Sequence, residues 1–421
     1  MNRIRKTRTL LKGMPNTSFP RNKIRVLLVE DIHPDGLNKF LQQGYQVEAL
    51  PGAPKEDELC ERIETVHLLG IRSTTKITAN VLARARRLWA IGCFCIGTNQ
   101  VDLIKARQQG VAVFNAPYSN TRSVAELVIG EIIMLLRRVF EKSQAAHNKI
   151  WDKSSAGSFE VRGKTLGIIG YGHIGSQVSI LAEALGMNVI YYDLAEKLPI
   201  GNATAMPSLA ELLRRADIVT LHVPEDEGTI NLMAAPQFAE MKKGSYFLNL
   251  SRGRNVELQD LRQAILDGHI AGAAIDVFPT EPKSNQEAFT TELQSLPNVI
   301  LTPHIGGSTL ESQKDIAAKT GEKLINYMNT GTTIGSVNFP EVQLPILRNR
   351  HRILHIHKNV PGVISEFSQT FARLGINIES QVLKTEEDLG YLVTDVNRLV
   401  DRRIVEDLKK LEATIKVRVL F

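Results

Sequence analysis

Cysteine is scarce in this chain, with three in 421 residues. Cys60, Cys93 and Cys95 have no metal-ligand spacing and are too few for a disulfide framework. The sequence therefore predicts no metal site and a reducing compartment, the cytoplasm. Cys93 and Cys95 alternate within an apolar run, which reads as core packing. No apolar run is long enough to span a bilayer, which predicts a soluble protein with no membrane partner. Acidic residues are absent from positions 1–23, which hold seven Lys or Arg. The whole chain has 51 Lys and Arg against 45 Asp and Glu; without that leader the balance is 44 against 45. A neutral body removes the electrostatic case for nucleic acid. The leader, residues 1–23, reads either as a disordered extension or as an organelle transit peptide.

The densest signal lies between Thr165 and Asp193. An apolar strand, Thr165–Ile169, runs into Gly170-Tyr171-Gly172-His173-Ile174-Gly175. Helical spacing follows at Ile174, Ile180, Leu181 and Leu185. A second strand then ends in Asp193. A G-x-G-x-x-G framed by two strands and followed by an acid is a dinucleotide fingerprint. Gly170 permits the turn, Gly172 lets backbone approach a pyrophosphate, and Gly175 lets helix and strand touch. The helix N-terminus, at His173 and Ile174, presents N–H groups to phosphate. Asp193 suits ribose hydroxyls and repels a 2′-phosphate, which favours NAD over NADP; Lys197 is the one feature that points the other way.

Strand–helix alternation from Ile24 to Asn115 predicts a doubly wound α/β unit without a phosphate fingerprint. Arg122–Asn148 reads as one long helix, apolar on several sides, that bridges domains or subunits. Exposed Trp151 beside it reads as a subunit contact. A second α/β unit runs from Thr165 to Ile305. A helix at Ser308–Asn329 returns to the first unit. The order βαββαβ after residue 350 is that of a ferredoxin-like module. The predicted domains are 24–119 with 307–340, a nucleotide-binding insertion at 120–306, a hinge at 341–349 and the C-terminal module at 350–421.

Three polar segments of the second unit follow buried strands, where such sheets bind ligands. They are Asn249-Leu250-Ser251-Arg252-Gly253, Asp276–Pro282 and Thr302–Ser308. Dehydrogenation of an alcohol needs a base, and His304 is the best candidate. Glu281 can bond its other ring nitrogen. Arg252 can hold a carboxylate in a bidentate pair. Asp276 can orient a nicotinamide carboxamide. Three complementary residues at successive strand ends form a catalytic set. In the first unit, Arg72-Ser73, Gly97 and Asn115 follow strands, and Arg72 with nearby N–H groups suits an anion. Lys153 can add charge from a neighbouring subunit.

The set G-Y-G-H-I-G, S-R-G, A-A-I-D-V-F-P-T-E-P and T-P-H-I-G-G-S-T resembles the D-isomer-specific 2-hydroxyacid dehydrogenases. The stretch Ile91–Asp102 and the C-terminal module narrow the resemblance to a branch that carries an ACT domain. It covers residues 24–421. The resemblance implies two Rossmann-like domains plus a ferredoxin-like ACT domain, and NAD as cofactor. It implies oxidation of a phosphorylated 2-hydroxy acid, D-3-phosphoglycerate, in the first step of L-serine biosynthesis. Arg252, Glu281 and His304 would be catalytic. Gly170, Gly172, His173, Ile174, Gly175, Asp193, Leu250, Ser251, Arg252, Asp276, His304, Ile305, Gly306 and Gly307 would contact NAD. Arg72, Ser73, Gly97, Asn115 and Lys153 would bind substrate. L-Serine would act as a feedback effector at His357, Asn359 and Asn377. Thr74 stands where relatives often carry a second arginine. A homotetramer follows from two kinds of twofold contact. Reduction of 2-oxoglutarate to 2-hydroxyglutarate is an expected side activity. A glyoxylate or hydroxypyruvate reductase and an NAD-sensing corepressor are the alternatives.

Overall fold

The structure, a computed structural model, describes residues 19–282, 286–345, 351–397 and 402–420. It forms two compact units. One is Tyr118–Gln313; the other comprises the flanking segments, up to Pro117 and from Lys314 onward.

The first unit begins with β1 (Arg25–Leu28), α1 (Pro34–Gln42), β2 (Gln46–Ala49), α2 (Glu56–Ile63) and β3 (Leu68–Ile71). It continues with α3 (Ala79–Arg84), β4 (Ala90–Cys93), α4 (Leu103–Gln108) and β5 (Ala112–Phe114). Pro34 suits the first turn of α1, where no N–H is needed, and the Asp102 carboxylate caps α4 through Lys105 N–H at 2.9 Å. The strands form a parallel sheet in the order β2-β1-β3-β4-β5. β3 and β4 are buried along their whole length, as strands covered on both faces must be.

The second unit holds α5 (Thr121–Leu136), α6 (Val139–His147), β6 (Thr165–Ile169), α7 (His173–Ala184), β7 (Asn188–Tyr192) and β8 (Thr204–Ala205). Then come α8 (Leu209–Arg215), β9 (Ile218–Leu221), α9 (Ala235–Glu240), β10 (Ser245–Asn249), α10 (Leu258–Leu266), β11 (Ile270–Ile275) and β12 (Val299–Leu301). The parallel order is β12-β11-β10-β9-β6-β7-β8, a Rossmann sheet with apolar clusters on both faces. The long helix expected over Arg122–Asn148 is instead two. Arg138 adopts a left-handed φ of 52°, which ends α5 and redirects the chain into α6. Trp151 beyond it is 87% exposed.

The chain then forms α11 (Leu310–Thr330), whose Ile316, Ala317, Leu324 and Met328 belong to the first unit's core. The C-terminal module follows as β13 (His351–Lys358), α12 (Val363–Arg373), β14 (Ile378–Glu386), β15 (Leu389–Val396), α13 (Arg402–Lys409) and β16 (Thr414–Leu420). Its antiparallel order is β14-β15-β13-β16. Both helices cover one face through Phe367, Phe371, Ile404 and Leu408.

The other face of this sheet is not free. Leu354, Ile356, Tyr391, Val393 and Leu420 share one core with Phe114, Leu324, Tyr327 and Phe339. Lys416 Nζ donates to the Leu88 carbonyl at 2.5 Å. The Arg418 guanidinium lies 4.5 Å from the Trp89 ring centroid. The expected hinge, 341–349, is therefore corrected over its first half. Val342 and Leu344 are buried in that core, because the chain fills the seam instead of crossing solvent. Residues 346–350 lie outside the described residues. So do positions 1–18 of the expected leader. Its end is ordered: Phe19 packs against His67 and Trp89, and Arg21 bonds Gln43 and Asn329.

Candidate active site

The seven-stranded sheet reverses its strand order between β6 and β9, the place where such sheets bind ligands. β6 ends at Ile169 and the chain turns at Gly170, whose φ is +92°. A Cβ at 175 would lie 2.2 Å from the Gly170 carbonyl oxygen, so α7 starts this close only because 175 is glycine. A Cβ at 172 would meet nothing within 4 Å, which leaves room for a pyrophosphate over the first N–H groups of α7. His173, at that terminus, lies against Tyr118 with ring centroids 3.9 Å apart and planes tilted by 39°. Asp193 accepts from Tyr171 N–H at 2.8 Å and from Ala195 N–H at 2.9 Å. Its carboxylate is thereby fixed, with lone pairs left for ribose hydroxyls. Glycine cradle, helix terminus and fixed acid fit NAD.

Asn249, at the end of β10, shapes the next loop. Its Oδ1 accepts from the Ser251 N–H at 3.0 Å and the Ser251 hydroxyl at 2.8 Å, and its Nδ2 donates to the Arg252 carbonyl at 3.0 Å. Ser251 and Leu250 are buried, and Arg252 projects outward. A Cβ at 253 would fall 2.0 Å from the Phe278 carbonyl carbon. Glycine there lets the loops after β10 and β11 touch. The Phe278 N–H donates to Glu281 Oε1 at 3.1 Å.

His304 Nδ1 lies 2.8 Å from Glu281 Oε2 and 3.0 Å from Oε1. A carboxylate accepts only, so Nδ1 carries the proton and Nε2 is left to react. The hydrogen bond His304 donates to Glu281 chiefly raises the His304 pKa; burial and the Arg252 charge oppose it. Burial is the largest influence on Glu281 and pushes its pKa up. The bonds to His304 and Phe278 N–H, with the charges of His304 and Arg252, outweigh it and lower the pKa. His304 has a left-handed φ of 54°, local strain of the kind found at functional sites. The loop that holds it hangs on Asp276. That carboxylate accepts from the Thr302 hydroxyl at 2.7 Å, Ile305 N–H at 2.8 Å and Gly306 N–H at 2.9 Å. Asp276 is 1% exposed, so it serves first as the anchor of 302–306. A Cβ at 307 would lie 2.5 Å from Asn120 Nδ2.

In the first unit Arg72 and Ser73 follow β3, Gly97 follows β4 and Asn115 follows β5. Of the N–H groups expected to meet an anion near Arg72, those of Arg72, Thr74 and Thr75 are taken, because all three bond Glu30. The Asn115 amide is inward too, donating to the Ile96 carbonyl at 2.6 Å. Lys153 belongs to the second unit and is exposed. In the C-terminal module His357 is 2% exposed, its Nδ1 donating to the Lys358 carbonyl at 2.8 Å. Asn359 and Asn377 are exposed, and Asn359 Nδ2 donates to the Glu387 carbonyl at 3.0 Å.

Glu30, Gln100 and Glu131 were missed from sequence. Each is buried, and Glu30 and Gln100 act on backbone, which leaves no spacing to recognise.

Two Rossmann-like units, a dinucleotide turn and a His–Glu pair beside an arginine define a D-isomer-specific 2-hydroxyacid dehydrogenase. The profile described as D-isomer specific 2-hydroxyacid dehydrogenase, NAD binding domain, matches residues 129–306. An AHAS small subunit-like ACT domain profile matches residues 353–416. The chain is 50% identical to D-3-phosphoglycerate dehydrogenase of Dictyostelium discoideum over 407 residues, 97% of this chain and 100% of that protein. It is 49% identical to the Escherichia coli K12 enzyme of the same name over 411 residues, 97% and 100% of the two chains. Among solved structures, D-lactate dehydrogenase of Aquifex aeolicus, complexed with NAD and lactic acid, aligns with a TM-score of 0.64 and 26% identity. That alignment covers 75% of this chain and 100% of the other. The chain belongs to the D-3-phosphoglycerate dehydrogenases, NAD-dependent oxidoreductases with a C-terminal ACT domain.

Proposed function

We propose that the chain oxidises D-3-phosphoglycerate to 3-phosphohydroxypyruvate with NAD, the first step of L-serine biosynthesis. The observation that carries this reading is the bond of His304 Nδ1 to Glu281 at 2.8 Å. It leaves Nε2 to take the proton of the C2 hydroxyl. Bound NAD supplies the acceptor for the hydride that leaves C2. Glu281 stabilises the imidazolium that results. Arg252 holds the substrate carboxylate and polarises the adjacent oxygen. The Arg72 guanidinium and Ser73 hydroxyl take the phosphate, and Lys153 of a neighbouring subunit adds charge.

The test follows NADH with 3-phosphohydroxypyruvate and with hydroxypyruvate. A preference of at least about 100-fold in kcat/KM for the phosphorylated acid is expected. Equal efficiency on both would overturn the phosphate reading and favour a reductase of unphosphorylated acids. The dianion 2-oxoglutarate is a proposed side substrate, reduced to 2-hydroxyglutarate.

L-Serine is the proposed feedback effector, bound by His357, Asn359 and Asn377. His357 is buried at the strand end with Nε2 unpaired among the described residues, and the Asn359 carbonyl remains to accept from an ammonium group. β14 is an exposed nine-residue edge strand, and an edge of that length invites pairing with a second module. With the exposed Trp151 arm this supports a homotetramer. Loss of serine inhibition on replacing Asn359 is expected; an enzyme indifferent to serine would reduce the module to assembly.

A further inference from the structure

The five-stranded sheet has its own switch point, between β1 and β3. The two loops that leave it carry Glu30 and Arg72. Glu30 is 8% exposed and sits in the left-handed region, with φ 66°; Asp31 follows at 49°. This strained corner aims the Glu30 carboxylate at the neighbouring loop. Oε1 accepts from Arg72 N–H at 3.1 Å and Thr75 N–H at 2.8 Å, and Oε2 accepts from Thr74 N–H at 2.9 Å. Gln100, 3% exposed, holds the other side of the same residue. Its Nε2 donates to the Arg72 carbonyl at 2.7 Å and to the Gly97 carbonyl at 3.3 Å.

Both backbone groups of Arg72 are thus held by buried side chains. The loop cannot offer the N–H groups of 72, 74 and 75 to a ligand, and the Glu30 charge beneath it repels an anion that settles on the backbone. Recognition of an anion falls to the Arg72 guanidinium and the Ser73 hydroxyl. We propose that Glu30 and Gln100 are positioning residues that set the preference for a phosphorylated substrate by fixing the direction in which Arg72 leaves the sheet. This rests on the assignment of the substrate phosphate to Arg72 and Ser73.

The experiment compares wild type with Glu30→Gln and Gln100→Leu in the full-length enzyme, using 3-phosphohydroxypyruvate and hydroxypyruvate with NADH. Glu30→Gln keeps the shape but replaces one accepting oxygen with an NH2 donor, so at least one of the three N–H groups loses its acceptor. It is expected to raise KM for the phosphorylated acid about tenfold, with kcat within about threefold and KM for NADH unchanged. Efficiency on hydroxypyruvate is expected to hold, so the ratio of the two efficiencies falls about tenfold. Gln100→Leu, which removes the carbonyl clamp without touching Glu30, is expected to move the ratio the same way; it decides the matter if Glu30→Gln does not fold. An equal loss on both substrates would mean a merely structural role and would overturn the proposal. So would an unchanged ratio in folded variants while Arg72→Lys loses the preference. A wild-type enzyme with no preference would sink the phosphate assignment itself.

Discussion

Arg352 and Asp395 face each other across β13 and β15 as a fork-to-fork ion pair, Nε to Oδ1 at 2.7 Å and the second guanidinium nitrogen to Oδ2 at 2.9 Å. Their side chains are 2% and 8% exposed. The remaining guanidinium nitrogen donates to the Thr330 carbonyl at 2.9 Å and the Pro345 carbonyl at 3.0 Å. One buried cation thus joins the C-terminal sheet, the end of α11 and the connecting segment.

Removing one partner strands the other. Asp395→Ala leaves the guanidinium buried and half-satisfied, which is expected to destabilise the first unit by about 3–5 kcal/mol. Chemical denaturation followed by tryptophan fluorescence measures it, since Trp89 lies in the same seam. A loss below about 1 kcal/mol would show that the pair is not closed to water. Arg352→Met with Asp395→Leu is expected to recover most of the loss.

The His304–Glu281 pair makes a signed pH prediction. His304 is raised, so its share of stability is fully present below about pH 6.5 and is lost as pH rises through the folded pKa. Glu281 is lowered, so its share is present above about pH 4.5 and is lost as pH falls through its folded pKa. Catalytically, oxidation needs neutral His304, so kcat rises with pH through the raised value. Glu281→Gln removes the largest raising influence. Its acid limb is expected to move to lower pH while maximal kcat falls roughly tenfold or more. A limb that stays in place would disconnect Glu281 from the titrating group.

Gly253 tests the loop contact that sets Arg252 beside Glu281. A Cβ there would lie 2.0 and 2.2 Å from the Phe278 carbonyl carbon and oxygen, and backbone cannot give way as a side chain does. Gly253→Ala is expected to cost about 1–3 kcal/mol or more and to lower kcat/KM, with NAD affinity nearly retained. Thermal melting with isothermal titration of NAD separates the two effects. An unaffected kcat would mean that Arg252 tolerates displacement.

What was legible in the sequence was whatever repeats or punctuates. β3 and β4 are wholly apolar runs, β6 is apolar after Thr165, the glycines around 170 mark a turn, and Asp193, Arg252, Glu281 and His304 all follow strands. The break at Arg137–Arg138 was not legible, because a left-handed arginine leaves no compositional trace. The packing of the C-terminal sheet was hidden for another reason. Lys416 and Arg418 alternate with Val417 and Val419, which reads as a half-exposed strand. Their polar ends instead meet carbonyls and rings across a buried seam. Glu30 was invisible because its partners are backbone N–H groups that any sequence provides.

Glu131 carries the last prediction. It lies on α5, 1% exposed, with neither carboxyl oxygen bonded among the described residues. Burial, then the charge of Asp276, pushes its pKa up to about 8; the Thr302 hydroxyl pulls the other way. In the unfolded chain a glutamate titrates near 4.5. The folded state therefore binds more protons between these values, and stability falls as pH rises from about 4.5 to about 8. Glu131→Gln keeps the shape and removes the ionisation. The variant is expected to match wild type near pH 5 and to melt higher at pH 8–9, with a flatter dependence of Tm on pH between. The neighbouring charged group, Asp276, anchors the His304 loop through Thr302, Ile305 and Gly306. Ionised Glu131 would strain that anchor, so the variant should also keep more of its activity at high pH. Parallel Tm curves for the two proteins would mean that Glu131 stays in one charge state throughout and does not act on the loop.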